Sequence, residues 1–351
     1  MLWLVAILLG PALVACGGDE VADGPGGPAA PPPPPPPVYC RYCGIELPAG
    51  SELDYRPVMV MIDNLSPARP QAGLTEACVV FELLAEGGIT RLAPVYGHGA
   101  PDKVGPVRSA RHYFLDLALG LDALYTHVGK SPQAGVDIGR LGVANLDAFG
   151  LDDHFWREST RPAPHNLYTG LASLRDAAEA KGYATRREAT AGDRWPYTAG
   201  RPDPERGEAG DGFTLTWPYS RGGHQVSFVW EPGADGVPGD YLRFEGDNPH
   251  LAEETGEQLR ARSVVVAFAE FRRVPGDAEG RLDAQLTGEG EAVVFANGRS
   301  YAAGWLKAER SSPLVLLDAD GEKLALDVGQ TWILIAPHGA ELRRHEPGGN
   351  G

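Results

Sequence analysis

The sequence is short of positive charge and of sulfur. Its 351 residues contain 31 lysines and arginines against 47 acidic residues, a formal net charge of −16, with four cysteines and three methionines. Nucleic-acid phosphates are bound by basic surfaces, so a protein this acidic is not expected to bind nucleic acid. The same excess of negative charge argues against direct adhesion to anionic lipid headgroups.

Several signatures of catalysis and of metal binding are also absent. The chain has no Gly-x-Ser-x-Gly elbow and no His-Glu-x-x-His motif. Cys-x-x-Cys occurs once, at Cys40 and Cys43, whereas a structural zinc ion takes four ligands. We therefore expect no metal site and no cofactor, and we predict a local disulfide between Cys40 and Cys43 in an oxidising compartment. A metal site shared between molecules and a redox pair remain alternatives, and Cys78, within an apolar run, is predicted to be a buried, inert thiol.

No apolar run is long enough to cross a bilayer, which takes about 20 residues. The first fifteen residues are an apolar segment, with no lysine or arginine before it, that stops at Leu13-Val-Ala-Cys16. This ending is typical of a bacterial lipobox. We predict a signal peptide over residues 1–16, lipidation of Cys16, and a protein held by its lipid anchor on the extracytoplasmic face of the cell membrane. The alternative is an uncleaved apolar tail.

Glycine and proline dominate the segment that follows. It contains seven consecutive prolines, Pro31–Pro37, a composition that forms no core and favours the extended polyproline conformation. We predict that residues 17–52 are a tether that ends in the Cys40-x-x-Cys43 knuckle.

The rest of the sequence predicts an α+β fold in two domains. In the first, over residues 53–192, Gly87-Gly88 between two apolar runs indicates a hairpin. Helices are predicted over Ser109–Leu119, Gln133–Leu141 and Gly170–Lys181. A linker rich in proline, glycine and charge, over residues 193–212, leads to a mostly β domain over 213–338 and a tail over 339–351.

Polar motifs between Glu86 and Tyr168 form the candidate ligand site. This stretch carries eight basic and nine acidic side chains, so it is almost neutral in an acidic protein, and it holds five of the nine histidines. Guanidinium groups bind carboxylates and phosphates through paired hydrogen bonds. We therefore predict a site for an anionic envelope ligand, such as peptidoglycan or teichoic acid. Its predicted residues are Glu86, Arg91, Arg108, Ser109, Arg111, His127, Gln133, Arg161, His165 and Asn166.

Three other interpretations stay open. A cell-wall hydrolase with a Ser-His-Asp triad would take its serine and histidine from these same motifs, although spacing alone identifies no triad. A glycosidase would use a pair of carboxylates such as Glu82 and Glu86. In the third interpretation these two carboxylates pair with Arg91, Arg108 and Arg111 in a structural network, and the protein is a scaffold for an envelope complex.

A series of specific strings, several of them within the candidate site, runs in order from about Tyr55 to Pro337. They are Arg56-Pro-Val-Met-Val-Met-Ile-Asp-Asn64, Ala68–Gly73, Glu86–Arg91, Gly105–Arg111, Ser131–Ala134, Ala163–Tyr168, Asn297–Arg299, Trp305–Lys307 and Gly329–Ile333. These strings resemble the YerB family of bacterial lipoproteins, whose two-part domain has no known function. The resemblance implies a lipid-anchored extracytoplasmic protein, with mixed coiled sheets and a few helices in its first domain and a mostly β second domain. It implies no catalytic residue or cofactor, and the tether and the Cys40-x-x-Cys43 knuckle lie outside it.

Overall fold

Two fully buried strands, one from each half of the chain, lie side by side at the centre of the protein. In the computed structural model, Val79–Leu84 and Thr331–Pro337 pair in parallel, and every residue of both strands is buried. The structure describes residues 36–51, 56–184, 195–198, 207–218, 224–234 and 237–348. The predicted signal peptide, Cys16, most of the predicted tether and half of the predicted linker lie outside these residues and stay predictions.

The described residues form a mostly β protein with three α-helices. The helices are α1 (Phe114–Leu121), α2 (Pro132–Leu141) and α3 (Leu171–Ala180). The strands before residue 200 are β1 (Val38–Tyr39), β2 (Glu46–Leu47), β3 (Val58–Val60), β4 (Ile62–Asp63), β5 (Val79–Leu84), β6 (Thr90–Tyr96), β7 (Leu124–His127), β8 (Asn145–Asp147), β9 (Phe155–Arg157), β10 (Leu167–Thr169) and β11 (Tyr197–Thr198). The strands after residue 200 are β12 (Glu208–Ala209), β13 (Gly212–Trp217), β14 (His224–Glu231), β15 (Asp240–Glu245), β16 (Asn248–Pro249), β17 (Arg260–Ala261), β18 (Ser263–Arg273), β19 (Leu282–Gln285), β20 (Gly288–Ala296), β21 (Arg299–Lys307), β22 (Val315–Leu317), β23 (Leu326–Asp327), β24 (Thr331–Pro337) and β25 (Glu341–His345).

Thirteen of the described strands form one large sheet. Its order is β12-β21-β20-β18-β24-β5-β6-β3-β7-β8, with β19 on β18, β22 on β21 and β4 on β6. The β18–β24 and β24–β5 pairs are parallel, whereas β5 and β6 are antiparallel. Strands buried on both faces carry nearly continuous apolar runs, which explains the composition of β5 and β24.

A second sheet, of order β16-β15-β14-β13-β25 with β17 on β15, packs on the large one. Phe213 of β13 stacks on Phe295 of β20 with ring centroids 4.2 Å apart. The Arg243 guanidinium of β15 lies 4.4 Å from the ring centroid of Trp332 in β24. The core between the two sheets therefore contains a buried arginine among aromatic rings.

The two domains predicted from the sequence share the large sheet. Strands β3 to β8 belong to the first predicted domain and β18 to β24 to the second, and they join where Thr331 aligns with Val79 and Ile335 with Leu83. Residues from Pro37 onward form one contact unit. Composition indicates a break near residue 200, but it carries no information on which backbones pair across the break, because sheet hydrogen bonds are made by the main chain.

The helix predicted over Ser109–Leu119 is shorter at its start than expected. Residues 107–110 are instead extended, because Val107 bridges to Ile62 and Ala110 bridges to Lys130. The helix begins only at Phe114. Tertiary backbone pairing here overrides the local helical pattern.

Other local predictions are confirmed. Gly87 and Gly88 connect β5 to β6 with positive φ angles of 77° and 74°, a conformation that glycine adopts without steric cost. The helix predicted over Gln133–Leu141 is present as α2, and the hydroxyl of Ser131 accepts a hydrogen bond from the Ala134 amide at 3.2 Å and caps it.

The shared sheet leads to a prediction about the two halves. Residues 37–192 expressed alone should lack a cooperative urea unfolding transition, because β5 loses its partner β24 and the residues that cover it. Co-expression with residues 193–351 should restore a single transition, measured by circular dichroism. A cooperative transition of the isolated first half would contradict a shared core.

Candidate functional site

Two strands and two loops bring the polar motifs together. Asp63, at the end of β4, aligns with Arg91 of β6, so both side chains leave the same face of the sheet. The extended segment that bridges Val107 to Ile62 places Arg108 beside them. We call the group formed by Asp63, Glu86, Arg91, Arg108, Arg111 and His165 the arginine cluster.

Asp63 organises one side of this cluster. Its carboxylate is buried, with one oxygen 3.1 Å from Arg108 Nε and 2.8 Å from His165 Nδ1. Its other oxygen accepts a hydrogen bond from the Leu65 amide at 3.0 Å. Since Nδ1 of His165 faces a carboxylate, the neutral ring carries its proton on Nδ1 and leaves the Nε2 lone pair directed elsewhere.

Glu86 and Arg111 form the other side of the cluster. Both guanidinium nitrogens Nε and Nη2 donate to the carboxylate, at 2.6 and 2.7 Å. Burial alone would raise the pKa of Glu86, but the hydrogen bonds and charge of Arg111 lower it below its ordinary value. This bidentate pair holds the loop after β5 against the segment that precedes α1.

Arg91 is the unusual member of the cluster. It is only 4% exposed, and its Nη1 donates to the carbonyl of Ser109. Its Nε has no hydrogen-bond partner, and among the described residues no carboxylate lies within ion-pair distance of it. Burial, followed by the positive charge of Arg111, lowers the pKa of Arg91 to about 10, so its charge persists at neutral pH.

Four residues predicted for the site make hydrogen bonds outside the arginine cluster. His127 is fully buried, with its ring nitrogens 2.8 Å from the Gly129 carbonyl and 2.6 Å from Asn145 Oδ1. Arg161 contacts the Ala68 and Pro70 carbonyls and Glu253, and Asn166 contacts Arg157 and the Glu158 carbonyl. Gln133 donates to Asp277 at 3.5 Å, while its Oε1 has no hydrogen-bond partner. These contacts indicate that the four side chains support loops and strands. Ser109 contributes its carbonyl to Arg91.

A second polar cluster lies buried between the two sheets, and it was not predicted from the sequence. Arg243 of β15 contacts Glu82 at 2.9 Å and Glu245 at 2.6 Å, and it donates from Nε to His250 at 2.9 Å. Glu82 therefore pairs with Arg243 and not, as one interpretation proposed, with the arginines of the motifs. Its position in β5 turns its carboxylate toward the second sheet. The alternation in Tyr241-Leu-Arg-Phe-Glu245 was the available signal, since it places Arg243 and Glu245 on one face.

The protonation states in this buried cluster are set by its geometry. Burial alone would raise the pKa of Glu82, but the charges of Arg243 and His224 lower it to about 2. Burial, and then the charge of Arg243, lower the pKa of His250 well below its ordinary value. His250 is therefore neutral, with Nδ1 accepting from Arg243 and Nε2 donating to Gln71 Oε1 at 2.6 Å.

The disulfide predicted between Cys40 and Cys43 is absent from the structure. Cys40, Cys43 and Cys78 are all free and buried. The prediction rested on the Cys-x-x-Cys pair standing alone, whereas the fold places Cys78 and His98 beside it. Residues from distant parts of the chain therefore place further candidate ligand atoms beside this pair.

Comparison with known proteins identifies the family of this chain. Models for the N-terminal and C-terminal domains of a protein of unknown function, DUF3048, match residues 44–184 and 215–333. The chain is also 32% identical over 284 residues to "Putative lipoprotein YerB" of Bacillus subtilis (strain 168), covering 80% of this chain and 81% of that protein. The chain belongs to the DUF3048 family. The resemblance to YerB inferred from the sequence is thereby confirmed.

The fold agrees with this assignment. A crystal structure of YerB from Bacillus subtilis matches with a TM-score of 0.73 at 28% identity, covering 87% of this chain and 99% of that one. Both DUF3048 domains contribute strands to the large sheet. In the part of the chain that the structure describes, no helix has the length and apolar character needed to span a membrane.

The buried arginine leads to a prediction on stability. Arg243→Ala should lower the free energy of unfolding by about 3–5 kcal/mol, because it leaves Glu82 and Glu245 buried without their counterion. Arg272→Ala is the matched control, since Arg272 is 71% exposed, and it should leave stability almost unchanged. Urea unfolding followed by tryptophan fluorescence measures both. Equal effects of the two substitutions would show that the buried pair contributes nothing.

The depressed pKa of His250 predicts a pH dependence. Below pH about 6.5 the unfolded chain binds a proton at this histidine that the folded chain does not. Stability should therefore fall as the pH drops through 6.5, by at most about 1.4 kcal/mol per pH unit from this group. His250→Gln should remove this part of the slope, measured by urea unfolding between pH 7.5 and 5. An unchanged slope would assign the effect to other groups.

Proposed function

We propose that this protein is a lipid-anchored extracytoplasmic lipoprotein whose arginine cluster binds an anionic group of a cell-envelope polymer. The main observation in support of this proposal is Arg91, a protonated and largely buried guanidinium without a carboxylate partner among the described residues. A buried charge is costly unless it is paired. A bound oxyanion would supply the missing partner and occupy the donor that Nε leaves unused.

The charge balance of the cluster supports an anion. Three guanidinium groups, of Arg91, Arg108 and Arg111, stand against the carboxylates of Asp63 and Glu86. Arg108 is 25% exposed and His165 14%, so solvent and a dissolved ligand reach this part of the cluster. Carboxylates of peptidoglycan stem peptides and phosphates of teichoic acids share the chemistry that this arrangement recognises.

The location rests on the beginning of the chain and on the relatives. The apolar segment that ends at Leu13-Val-Ala-Cys16 and the proline-rich stretch after it form a lipidation signal followed by a spacer. YerB of Bacillus subtilis carries the description lipoprotein in its name. A protein tethered in this way meets envelope polymers at high local concentration, so even a weak site would be occupied.

A cell-wall hydrolase is the second candidate. The observation in its favour is the Asp63–His165 pair at 2.8 Å, since a carboxylate that orients a histidine is a common part of a general base. Among the contacts of the described residues, no hydroxyl or thiol is hydrogen-bonded to His165. Binding is therefore better supported than catalysis.

Cosedimentation with isolated cell walls tests the proposal. The full-length protein should be retained, and Arg108→Ala should weaken retention about tenfold or more, as expected for the loss of one charge-assisted contact. His165→Ala should weaken it too, while the exposed-arginine control Arg272→Ala should bind normally. Walls stripped of teichoic acid distinguish the two sources of the anion, because only a phosphate ligand would be lost.

Two results would overturn the proposal. One is a wild-type protein that is not retained on either wall preparation. The other is full retention of folded Arg108→Ala and His165→Ala proteins, with folding checked by circular dichroism. Release of soluble wall fragments by the wild-type protein, abolished in His165→Ala, would favour the hydrolase.

A further inference from the structure

Three cysteines and one histidine from three separate parts of the chain converge at one end of the large sheet. Cys40 and Cys43 lie between β1 and β2, Cys78 precedes β5, and His98 follows β6. Their three sulfur atoms and one ring nitrogen all lie within 4.8 Å of one another. The three cysteines are at most 2% exposed, whereas His98 is partly exposed.

Two of the three sulfurs accept hydrogen bonds from backbone amides. The Cys40 sulfur accepts a hydrogen bond from the Tyr42 amide at 3.4 Å, and the Cys78 sulfur accepts one from the Gly97 amide at 3.3 Å. Gly44, directly after Cys43, has a φ of +68° that turns the chain back into β2. Amide donors directed at sulfur stabilise the thiolate form, which is the form that binds metal.

The distances fit a shared metal ion and not a disulfide. The Cys40 and Cys78 sulfurs are 3.7 Å apart, whereas a disulfide bond is about 2.05 Å long. Two sulfurs bound tetrahedrally to zinc at about 2.3 Å are separated by about 3.8 Å. Cys43 Sγ lies 3.1 Å from His98 Nε2, so the histidine directs a ring nitrogen into the same space.

We propose that Cys40, Cys43, Cys78 and His98 form a structural zinc site. Three thiolates and an imidazole in a tetrahedral arrangement are a closed set of ligands, which is typical of structural rather than catalytic zinc. Binding replaces the sulfur protons with metal bonds and releases those protons to solvent, without a change of oxidation state. No open coordination position remains for a substrate.

The site would connect the start of the folded chain to the large sheet. The β1–β2 hairpin contains only four paired residues, and so short a hairpin is marginal by itself. Cys78, just before β5, and His98, just after β6, would hold this hairpin on the sheet. The DUF3048 match begins at residue 44, so Cys40 and Cys43 lie outside the matched region.

Zinc content and cobalt spectroscopy test this site. We would purify the full chain with Cys16→Ser, which leaves the three clustered cysteines as its only thiols, and measure zinc per chain by mass spectrometry. One tightly bound zinc per chain is expected. Cobalt exchanged for the zinc should give sulfur-to-cobalt charge-transfer bands and the intense visible bands of tetrahedral cobalt.

Variants of the Cys16→Ser protein distinguish residues that bind the zinc from residues that do not. Cys78→Ser and His98→Ala should lose the zinc or bind it at least tenfold more weakly. His98→Cys keeps four ligands and should retain one zinc, which protects the test against a simple folding defect. His338→Ala is the control, since His338 is exposed and outside the cluster, and it should bind zinc normally.

Three outcomes would overturn the zinc site. One is that the folded Cys16→Ser protein, with its four cluster residues unchanged, holds no zinc after purification under reducing conditions with zinc supplied. Another is a Cys40–Cys43 disulfide found by thiol blocking and mass spectrometry of the same protein isolated without reductant. The third is one zinc per chain, with unchanged affinity, in Cys78→Ser or His98→Ala.

Discussion

The ion pair between Glu82 and Arg243 is the constraint on which the arrangement of the two sheets depends. Glu82 lies in the middle of the fully buried strand β5, and Arg243 lies in the facing sheet between Trp332 and Phe228. Either charge buried in the core without its partner would strongly destabilise the fold. Strands β5 and β15 can therefore both be buried only when the two sheets pack in the correct relative position. Neutral His250, held between Arg243 and Gln71, extends the network without adding charge.

The charges of the arginine cluster are balanced differently from those of the buried network, although the cluster lies on the neighbouring strand. In the buried network each charge has a partner, and its guanidinium is surrounded by carboxylates. In the cluster, Asp63 and Glu86 satisfy Arg108 and Arg111, but Arg91 keeps its charge in a buried position without a carboxylate. That difference is the reason for treating the first as architecture and the second as a ligand site.

The cluster of Cys40, Cys43, Cys78 and His98 shows that a short sequence motif predicts little when the residues it contacts are far away in the sequence. The Cys40-x-x-Cys43 pair lies on a two-strand hairpin of little intrinsic stability, and its sulfurs meet Cys78 and His98 only because β5 and β6 end beside it. A reading of neighbouring residues alone favours a disulfide. The antiparallel pairing of β5 with β6, which brings Cys78 next to Gly97, changes that conclusion.

The sequence by itself determined the family, the mostly β character of the second half, the Gly87-Gly88 hairpin and the helix α2, because these depend on periodicity and on residues near one another in the chain. It also located the segment that contains Arg91, Arg108, Arg111 and His165. Only the tertiary structure decided that both halves share one sheet, that Glu82 pairs with Arg243, and that His127 is engaged in the core. It also decided that Cys78 and His98 complete a cluster with Cys40 and Cys43. Those contacts join residues far apart in sequence. They depend on which main chains pair and which side chains become buried, and neither of these can be predicted from composition or from the spacing of residues.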